Sequence, residues 1–125
     1  MNREAKLDKL SSIIDDIADL SQKRHQLQIE RRAIQDKIIL TSAKIKIDIG
    51  MVKDDKGKSV YSNQRLRDAE HTVRLSDDPE FQSQRAEIQR IDDEIQSIII
   101  EQTRLEGHKM LLMLELGIPP QAGDI

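Results

Sequence analysis

The segment from Ile88 to Leu116 constrains the fold more than any other, because its apolar residues recur at steps of three and four. Such steps average about 3.5 residues, the spacing that keeps one stripe of a helix facing a neighbouring helix in a coiled coil. The stripe consists of Ile88, Ile91, Ile95, Ile98, Gln102, Leu105, Lys109, Leu112 and Leu116. It predicts a long helix that is buried along one side.

The composition favours paired helices over a globular enzyme. Charged residues make up 34% of the 125 residues and aromatic residues 2%, with Tyr61 and Phe81 as the only rings. Paired helices need only a narrow Ile/Leu stripe with charge outside it, whereas an enzyme core usually contains more rings. We therefore predict a single all-α domain over residues 1–117 that is not an enzyme and uses no cofactor.

The chain contains no cysteine, which excludes disulfides and thiolate metal sites and fits a reducing compartment. No segment approaches the run of about 18 apolar residues that a membrane span requires. The three histidines are far apart in the sequence, and we expect them to be surface residues rather than metal ligands. These features predict a soluble cytoplasmic protein without a membrane partner.

The first helix is predicted over residues 2–49, with Gly50 as its stop. Its stripe begins at Leu7, Leu10, Ile14 and Ile17 and needs a three-residue shift at Leu20, a stammer, to continue. Beyond the shift it runs through Leu20, Arg24, Leu27, Arg31, Ile34, Ile38, Thr41 and Ile45.

The tip at residues 50–62 carries a second pattern. Ile45, Ile47, Ile49 and Met51 alternate as in a strand, and they could pair with residues 59–61 as a short β-hairpin. Ser62 or Asn63 is a suitable N-cap for a helix over residues 63–76.

The helical part of the chain that follows the tip, which we call the second arm, is expected to be interrupted at Asp78-Pro79. Asp78 as cap and Pro79 at the first helical position predict a new helix over residues 79–116, although Pro79 could instead kink one continuous helix. Gly117 ends that helix, and residues 118–125 are predicted to form a flexible tail.

Charge and surplus apolar surface predict how the arms associate. Bases dominate residues 22–47 and acids dominate the chain from Ser76 onward, as expected of helices that lie antiparallel and neutralise each other. The apolar surface near the end of the last helix exceeds what one stripe requires, which predicts a homodimer or higher oligomer. The predicted interface comprises Ile95, Ile98, Ile99, Leu105, Leu112, Met113 and Leu116.

The basic residues support an alternative partner, a nucleic acid, since clustered Lys and Arg on one face bind phosphates. A small anionic ligand held between arginines is a further alternative. The candidate contact residues for a protein or nucleic-acid partner are Arg24, Arg31, Arg32, Lys58, Tyr61, Asn63, Arg65 and Arg67.

The tip also carries the sequence Lys53-Asp54-Asp55-Lys56-Gly57-Lys58-Ser59-Val60-Tyr61-Ser62-Asn63, followed in the second arm by Asp77-Asp78-Pro79-Glu80-Phe81. This K-D-x-x-G-K-x-x-Y-S-N pattern resembles the tips of small coiled-coil proteins of bacteriophages and other mobile elements. The resemblance implies a protein that assists recombination or inhibits host defence. Our leading expectation is an oligomeric coiled-coil protein that acts by binding a protein partner.

Overall fold

A computed structural model describes residues 2–119 of the chain, and these residues form three α-helices. Helix α1 is Arg3–Met51, α2 is Gln64–Asp77 and α3 is Pro79–Leu116. Residues 2–119 contain no β-strand, so the predicted all-α class is confirmed. Within the same residues, no helix is long and apolar enough to cross a membrane.

The chain divides into two compact units, and α1 and α3 each contribute to both. Unit 1 combines the chain up to Gln28 with the chain from Asp92 onward, and unit 2 is Ile29–Ile91. In each unit α1 packs against α3. The single domain over residues 1–117 stays a prediction. Of the tail predicted at 118–125, residues 120–125 lie outside the described part of the chain.

Local hydrogen bonds define the start of α1, but glycine does not define its end. The Asn2 side chain caps the first turn by accepting a 2.7 Å hydrogen bond from the backbone N–H of Ala5. Glu4 adds a negative charge where the helix dipole favours one. The helix then continues through Gly50 to Met51, so the predicted stop at Gly50 is wrong.

The tip between α1 and α2 is a turn built on Asp54 and Gly57. The Asp54 carboxylate accepts 2.9 Å hydrogen bonds from the backbone N–H groups of Lys56 and Lys58. Gly57 has φ of +75°, a left-handed conformation that favours glycine. One isolated antiparallel bridge crosses the turn, and residues 45–51 are helical, so the considered β-hairpin is not supported.

Side-chain caps begin both later helices. Asn63 caps α2, since its Oδ1 accepts a 2.9 Å hydrogen bond from the N–H of Leu66. Asp78 is extended and its Oδ2 accepts a 2.8 Å hydrogen bond from the N–H of Phe81, while Pro79 is the first residue of α3. The predicted helix start at Asp78-Pro79 is confirmed, and α2 and α3 are separate helices.

The end of α3 is a Schellman motif. Gly117 has φ of +72°, and its N–H donates to the carbonyl of Leu114 at 3.1 Å. The N–H of Ile118 donates to the carbonyl of Met113 at 2.8 Å. The Ile118 side chain also packs against the cluster that contains Met113, which is the hydrophobic contact this motif commonly includes.

One stripe of α1 is buried, with steps that alternate between three and four residues. It consists of Leu10, Ile13, Ile17, Leu20, Arg24, Leu27, Arg31, Ile34, Ile38, Thr41, Ile45 and Ile49, all buried or half-buried. The alternation holds from Leu10 to Ile45, which is a heptad repeat, and a second four-residue step leads on to Ile49. One side of α1 therefore stays turned toward the other helices of each unit.

The register predicted for the start of this stripe is wrong. Leu7 and Ile14 are 41% and 47% exposed, whereas Leu10 and Ile13 are buried. With Ile13 in the stripe, the heptad continues through Leu20 without a stammer. The stripe predicted for α3 is confirmed, since all its residues from Ile88 to Leu116 are buried or half-buried.

In unit 1 the beginning of α1 packs against the end of α3. Leu10, Met113 and Leu116 form a buried cluster, and Leu112 lies against it. Such a cluster removes apolar surface from water at both helix ends, where the helices would otherwise fray.

Polar contacts in the same unit set the direction of the helices. Lys6 Nζ lies 3.3 Å from Glu115 Oε2, and Gln102 donates a 2.9 Å hydrogen bond to Ser21 Oγ. The partner's number on α3 falls as the number on α1 rises, so the two helices are antiparallel.

In unit 2 a buried polar pair lies within the stripe. Gln84 Nε2 on α3 donates a 3.2 Å hydrogen bond to Thr41 Oγ1 on α1, and both residues are buried. The two most completely buried side chains, Ile49 and Ile91, belong to the same unit. A buried polar pair tolerates few alternative alignments, because a shift would leave both groups without a partner.

We expect Ile91→Ala to lower the free energy of unfolding by about 2–5 kcal/mol, because a fully buried isoleucine is replaced by a cavity. Its control is Ile100→Ala on the same helix, where the side chain is 63% exposed and the change should stay within about 0.5 kcal/mol. Urea unfolding followed by circular dichroism at one fixed protein concentration measures both. Equal effects of the two substitutions would contradict the burial described here.

Candidate interaction surface

Helix α1 carries a second apolar line in unit 2, on the side opposite its buried stripe. We call this line the outer stripe; it consists of Ile29, Ala33, Leu40, Ala43, Ile47 and Met51. The four large side chains are exposed, at 52% for Ile29, 61% for Leu40, 61% for Ile47 and 70% for Met51. Successive large apolar residues on a solvent-facing line usually mark a contact with another molecule.

The spacing of the outer stripe is again that of a heptad. Steps of four and three lead from Ile29 through Ala33, Asp36, Leu40 and Ala43 to Ile47. Residues at these steps lie within one narrow band of a helix surface. Helix α1 therefore has two bands at coiled-coil spacing in unit 2, and only one of them is covered by residues 2–119.

Basic residues border the outer stripe. Lys37 and Lys44 lie along one border, and Arg32 and Lys46 lie along the other. All four are exposed. Glu30 and Asp48 are the acidic residues of these borders, so four bases face two acids and the band is apolar at its centre and predominantly positive at its edges.

Asp36 interrupts the apolar line at its middle. Its step from Ala33 is three and its step to Leu40 is four, so the exposed carboxylate occupies a position of the heptad itself. A molecule that covers the stripe must therefore also neutralise the negative charge of Asp36.

A cleft of 590 Å³ lies beside this band, between α1 and the first turns of α3. Ile38, Ile39, Phe81 and Ile88 give it an apolar floor. Its other lining residues are Arg31, Arg32, Gln35, Asp36, Arg85 and Gln89. Guanidinium groups bind carboxylates and phosphates with two parallel hydrogen bonds, so the cleft can receive an acidic group that has an apolar part.

The guanidinium of Arg85 contributes a cation–π contact to this cleft. Its Cζ lies 5.8 Å from the centre of the Phe81 ring, which is half-buried. The contact helps to hold the Phe81 ring in its place in the cleft lining, and Arg85 remains exposed. Phe81 and Arg85 are not among the contact residues predicted from the sequence.

The predicted basic contact residues of α1 lie in different environments. Arg24 is half-buried in the buried stripe, and its Nε is buried with no hydrogen-bond acceptor among the described residues. Arg31 is half-buried and lines the cleft, whereas Arg32 is exposed. The structure brings Arg31 and Arg32 together in one cleft and leaves Arg24 outside it.

The predicted contact residues of the tip are held by local structure. Arg67 Nη1 donates a 3.2 Å hydrogen bond to the Tyr61 carbonyl, and Arg74 lies 5.8 Å from the centre of the Tyr61 ring. The Arg74 Nε also donates a 2.8 Å hydrogen bond to Glu70 Oε1, which raises the pKa of Arg74 above its ordinary value. Lys58 and Arg65 are exposed.

The residues predicted to join a second copy are largely covered by their own chain. Ile98, Leu105, Met113 and Leu116 are buried, and Ile95, Ile99 and Leu112 are half-buried. The exposed apolar residues of the same part of α3 are Ile100, Met110, Leu111 and Leu114. The interface with another copy stays a prediction.

The histidines do not form a metal site in the described part of the chain. Within residues 2–119, no group of three histidine, cysteine, aspartate or glutamate side chains could hold a metal ion. The Nε2 atom of His71 lies 2.9 Å from the Oγ atom of Ser42. His25 and His108 are exposed.

Sequence reasoning missed the outer stripe although its signal was present. The alternation of Ile45, Ile47, Ile49 and Met51, which resembles a strand, arises because this end of α1 is apolar on two opposite sides. Ile45 is half-buried and Ile49 buried, while Ile47 and Met51 are exposed. A second heptad line traced from Ile29 would have revealed this.

Comparisons of the chain with protein-family models, with curated proteins and with solved structures found no match.

We expect Asn63→Ala to lower the free energy of unfolding by about 1 kcal/mol, because it removes the cap of α2. Asn63→Asp retains a side-chain acceptor and serves as the control, with stability close to the original. Thermal and urea unfolding of the two variants and of the original protein measure these differences in stability. Unchanged stability of Asn63→Ala would mean that Asn63 does not stabilise the tip.

Proposed function

We propose that this protein acts without catalysis, as a helical interaction protein that binds a protein partner through the outer stripe of α1. The observation that supports this is the exposure of Ile29, Leu40, Ile47 and Met51 at heptad spacing on the side opposite the buried stripe. Burying a large aliphatic side chain contributes about 1.5–3 kcal/mol, so four of them provide substantial binding energy.

The apolar centre of this surface favours a protein over a nucleic acid. Phosphate binding needs a face dominated by bases, and binding to single strands usually adds aromatic rings on which bases stack. The outer stripe has large aliphatic residues between its two basic borders and no ring. That arrangement matches the helix-in-groove and helix-on-helix modes of protein recognition.

We further propose that the chain forms an oligomer through the exposed apolar residues of α3 in unit 1. Leu111 and Leu114 are 60% and 68% exposed, and Met110 lies beside them at 41%. The tip pattern supports a role in a bacteriophage or mobile element, with host machinery as the partner.

Partner binding predicts that Leu40→Glu/Ile47→Glu loses the partner while the helices remain. Its matched control is Leu66→Glu/Val73→Glu on α2, since these side chains are 47% and 55% exposed in the same unit. Affinity purification from the native host with quantitative mass spectrometry measures the captured protein. We expect at least about a tenfold loss for the α1 variant and little loss for the control. Equal capture by both variants would contradict the proposal.

Self-association predicts that Leu111→Glu/Leu114→Glu lowers the mass in solution to that of one chain. Sedimentation velocity measures this, with circular dichroism to establish that helix content is retained. Leu40→Glu/Ile47→Glu is the matched control and should keep the original mass. An unchanged mass for the α3 variant would place the interface elsewhere.

A further inference from the structure

The outer stripe extends over just over three heptads, about 33 Å from Ile29 to Met51 at 1.5 Å per residue. Ile29, Leu40 and Ile47 stand at heptad spacing, and Met51 follows Ile47 by one further helical turn. A partner must therefore present matching residues at nearly the same average step. A second helix does so, because its own apolar residues recur every 3.5 residues when two helices supercoil. An extended strand presents side chains at a period of two and would leave much of the stripe uncovered.

The charges beside the stripe select among helical partners. In a helix pair the residues bordering the apolar line face those of the partner, and their charges determine which partner is accepted. Here the borders consist of Lys37 and Lys44 on one side and Arg32 with Lys46 on the other, against the acids Glu30 and Asp48. A helix with aspartate or glutamate in its bordering positions is therefore complementary.

The same charges disfavour a second copy of this chain at the stripe. Pairing the stripe with itself brings one set of predominantly basic borders against another, whichever way the second helix runs. Like charges that face each other across a helix pair are repulsive, and proteins use such repulsion to exclude unwanted partners. Self-association through this band is thus opposed by Lys37 and Lys44.

Asp36 adds a requirement at one position of the partner. Covering the stripe removes the Asp36 carboxylate from water, and a buried unpaired charge is strongly unfavourable. A lysine or arginine at the facing core position of the partner neutralises it. A single polar position of this kind also fixes the alignment of two paired helices.

We propose that the outer stripe binds an acidic amphipathic helix of a partner protein, with one basic residue of that helix facing Asp36. This inference rests on the proposed function, because it names the class of partner that the same surface accepts. The inference goes beyond that function because it specifies the sign of the charges that border the partner's apolar line. It also specifies that one basic residue of the partner faces Asp36.

Two synthetic helical peptides of about three heptads test the border charges. Both have leucine in the core positions and the same single core lysine; the acidic probe has glutamate in the borders and the basic probe has lysine there. Fluorescence anisotropy with the full-length protein, at peptide concentrations where each probe is monomeric, should show at least about tenfold tighter binding of the acidic probe.

Matched variants of the protein assign that binding to the stripe. Lys37→Glu/Lys44→Glu should reverse the preference between the probes, and Leu40→Glu/Ile47→Glu should abolish binding of both. Leu66→Glu/Val73→Glu should change neither. Binding of the acidic probe that survives Leu40→Glu/Ile47→Glu would overturn the inference, because the probe would then lie elsewhere.

The outcomes separate this inference from the function on which it rests. Equal binding of the two probes, lost in Leu40→Glu/Ile47→Glu, would refute the acidic partner and leave partner binding intact. Failure of both probes would refute a helical partner, while partner capture from the native host would still test the function. A fall in solution mass for Leu40→Glu/Ile47→Glu would show a second copy on the stripe and overturn the inference.

Asp36 has its own test with a third peptide, in which leucine replaces the core lysine of the acidic probe. The original protein should bind the lysine probe several-fold more tightly than the leucine probe. Asp36→Leu should reverse this order without loss of helix content. An unchanged order would mean that the carboxylate does not face the core of the complex.

Discussion

The burial of one heptad stripe of α1 against α3 is the interaction on which the rest of the structure depends. It removes from water a line of isoleucine and leucine that begins at Leu10 and ends at Ile49. A chain with so few aromatic residues has little other means of forming a core, and helices of this length gain most of their stability from such packing. In unit 2 the opposite side of α1 is left exposed, with Leu40 and Ile47 on it.

Polar residues within the buried stripe supply specificity at some cost in stability. The hydrogen bond between the buried residues Thr41 and Gln84 allows one alignment of the helices in unit 2. In unit 1 the exposed hydrogen bond between Gln102 and Ser21 adds a polar contact beside the stripe. A sliding helix would keep aliphatic contacts but lose these pairs, leaving buried polar groups unsatisfied. The caps at Asn2, Asn63 and Asp78 then fix where each helix begins.

Much of this architecture could be predicted from the sequence, for identifiable reasons. The α3 stripe was predictable because isoleucine and leucine recur there with only Gln102 and Lys109 between them, and Asp78-Pro79 is a strong local signal. The start of α1 was not, because Ile13 and Ile14 are adjacent and chemically equal, and only packing decides which is buried. The stop expected at Gly50 failed because no left-handed residue is needed there, unlike at Gly57 and Gly117.

The candidate surface was harder to predict than the fold. The sequence analysis looked for function among arginines, and Arg24 is a member of the buried stripe. The predicted interface residues of α3 are buried or half-buried in their own chain, and apolar spacing alone does not tell a core residue from an interface residue. The exposed apolar residues on which the proposals rest are Leu40 and Ile47 on α1 and Leu111 and Leu114 on α3.

The most direct measurement of the two-sided α1 uses the absence of native cysteine, which allows single thiols to be placed without ambiguity. Rates of alkylation are compared for Thr41→Cys and Ile49→Cys on the buried stripe and for Leu40→Cys and Ile47→Cys on the outer stripe. The account predicts reaction of the outer pair at rates near those of an unfolded chain and at least about tenfold slower reaction of the buried pair. Equal rates at all four positions would contradict it.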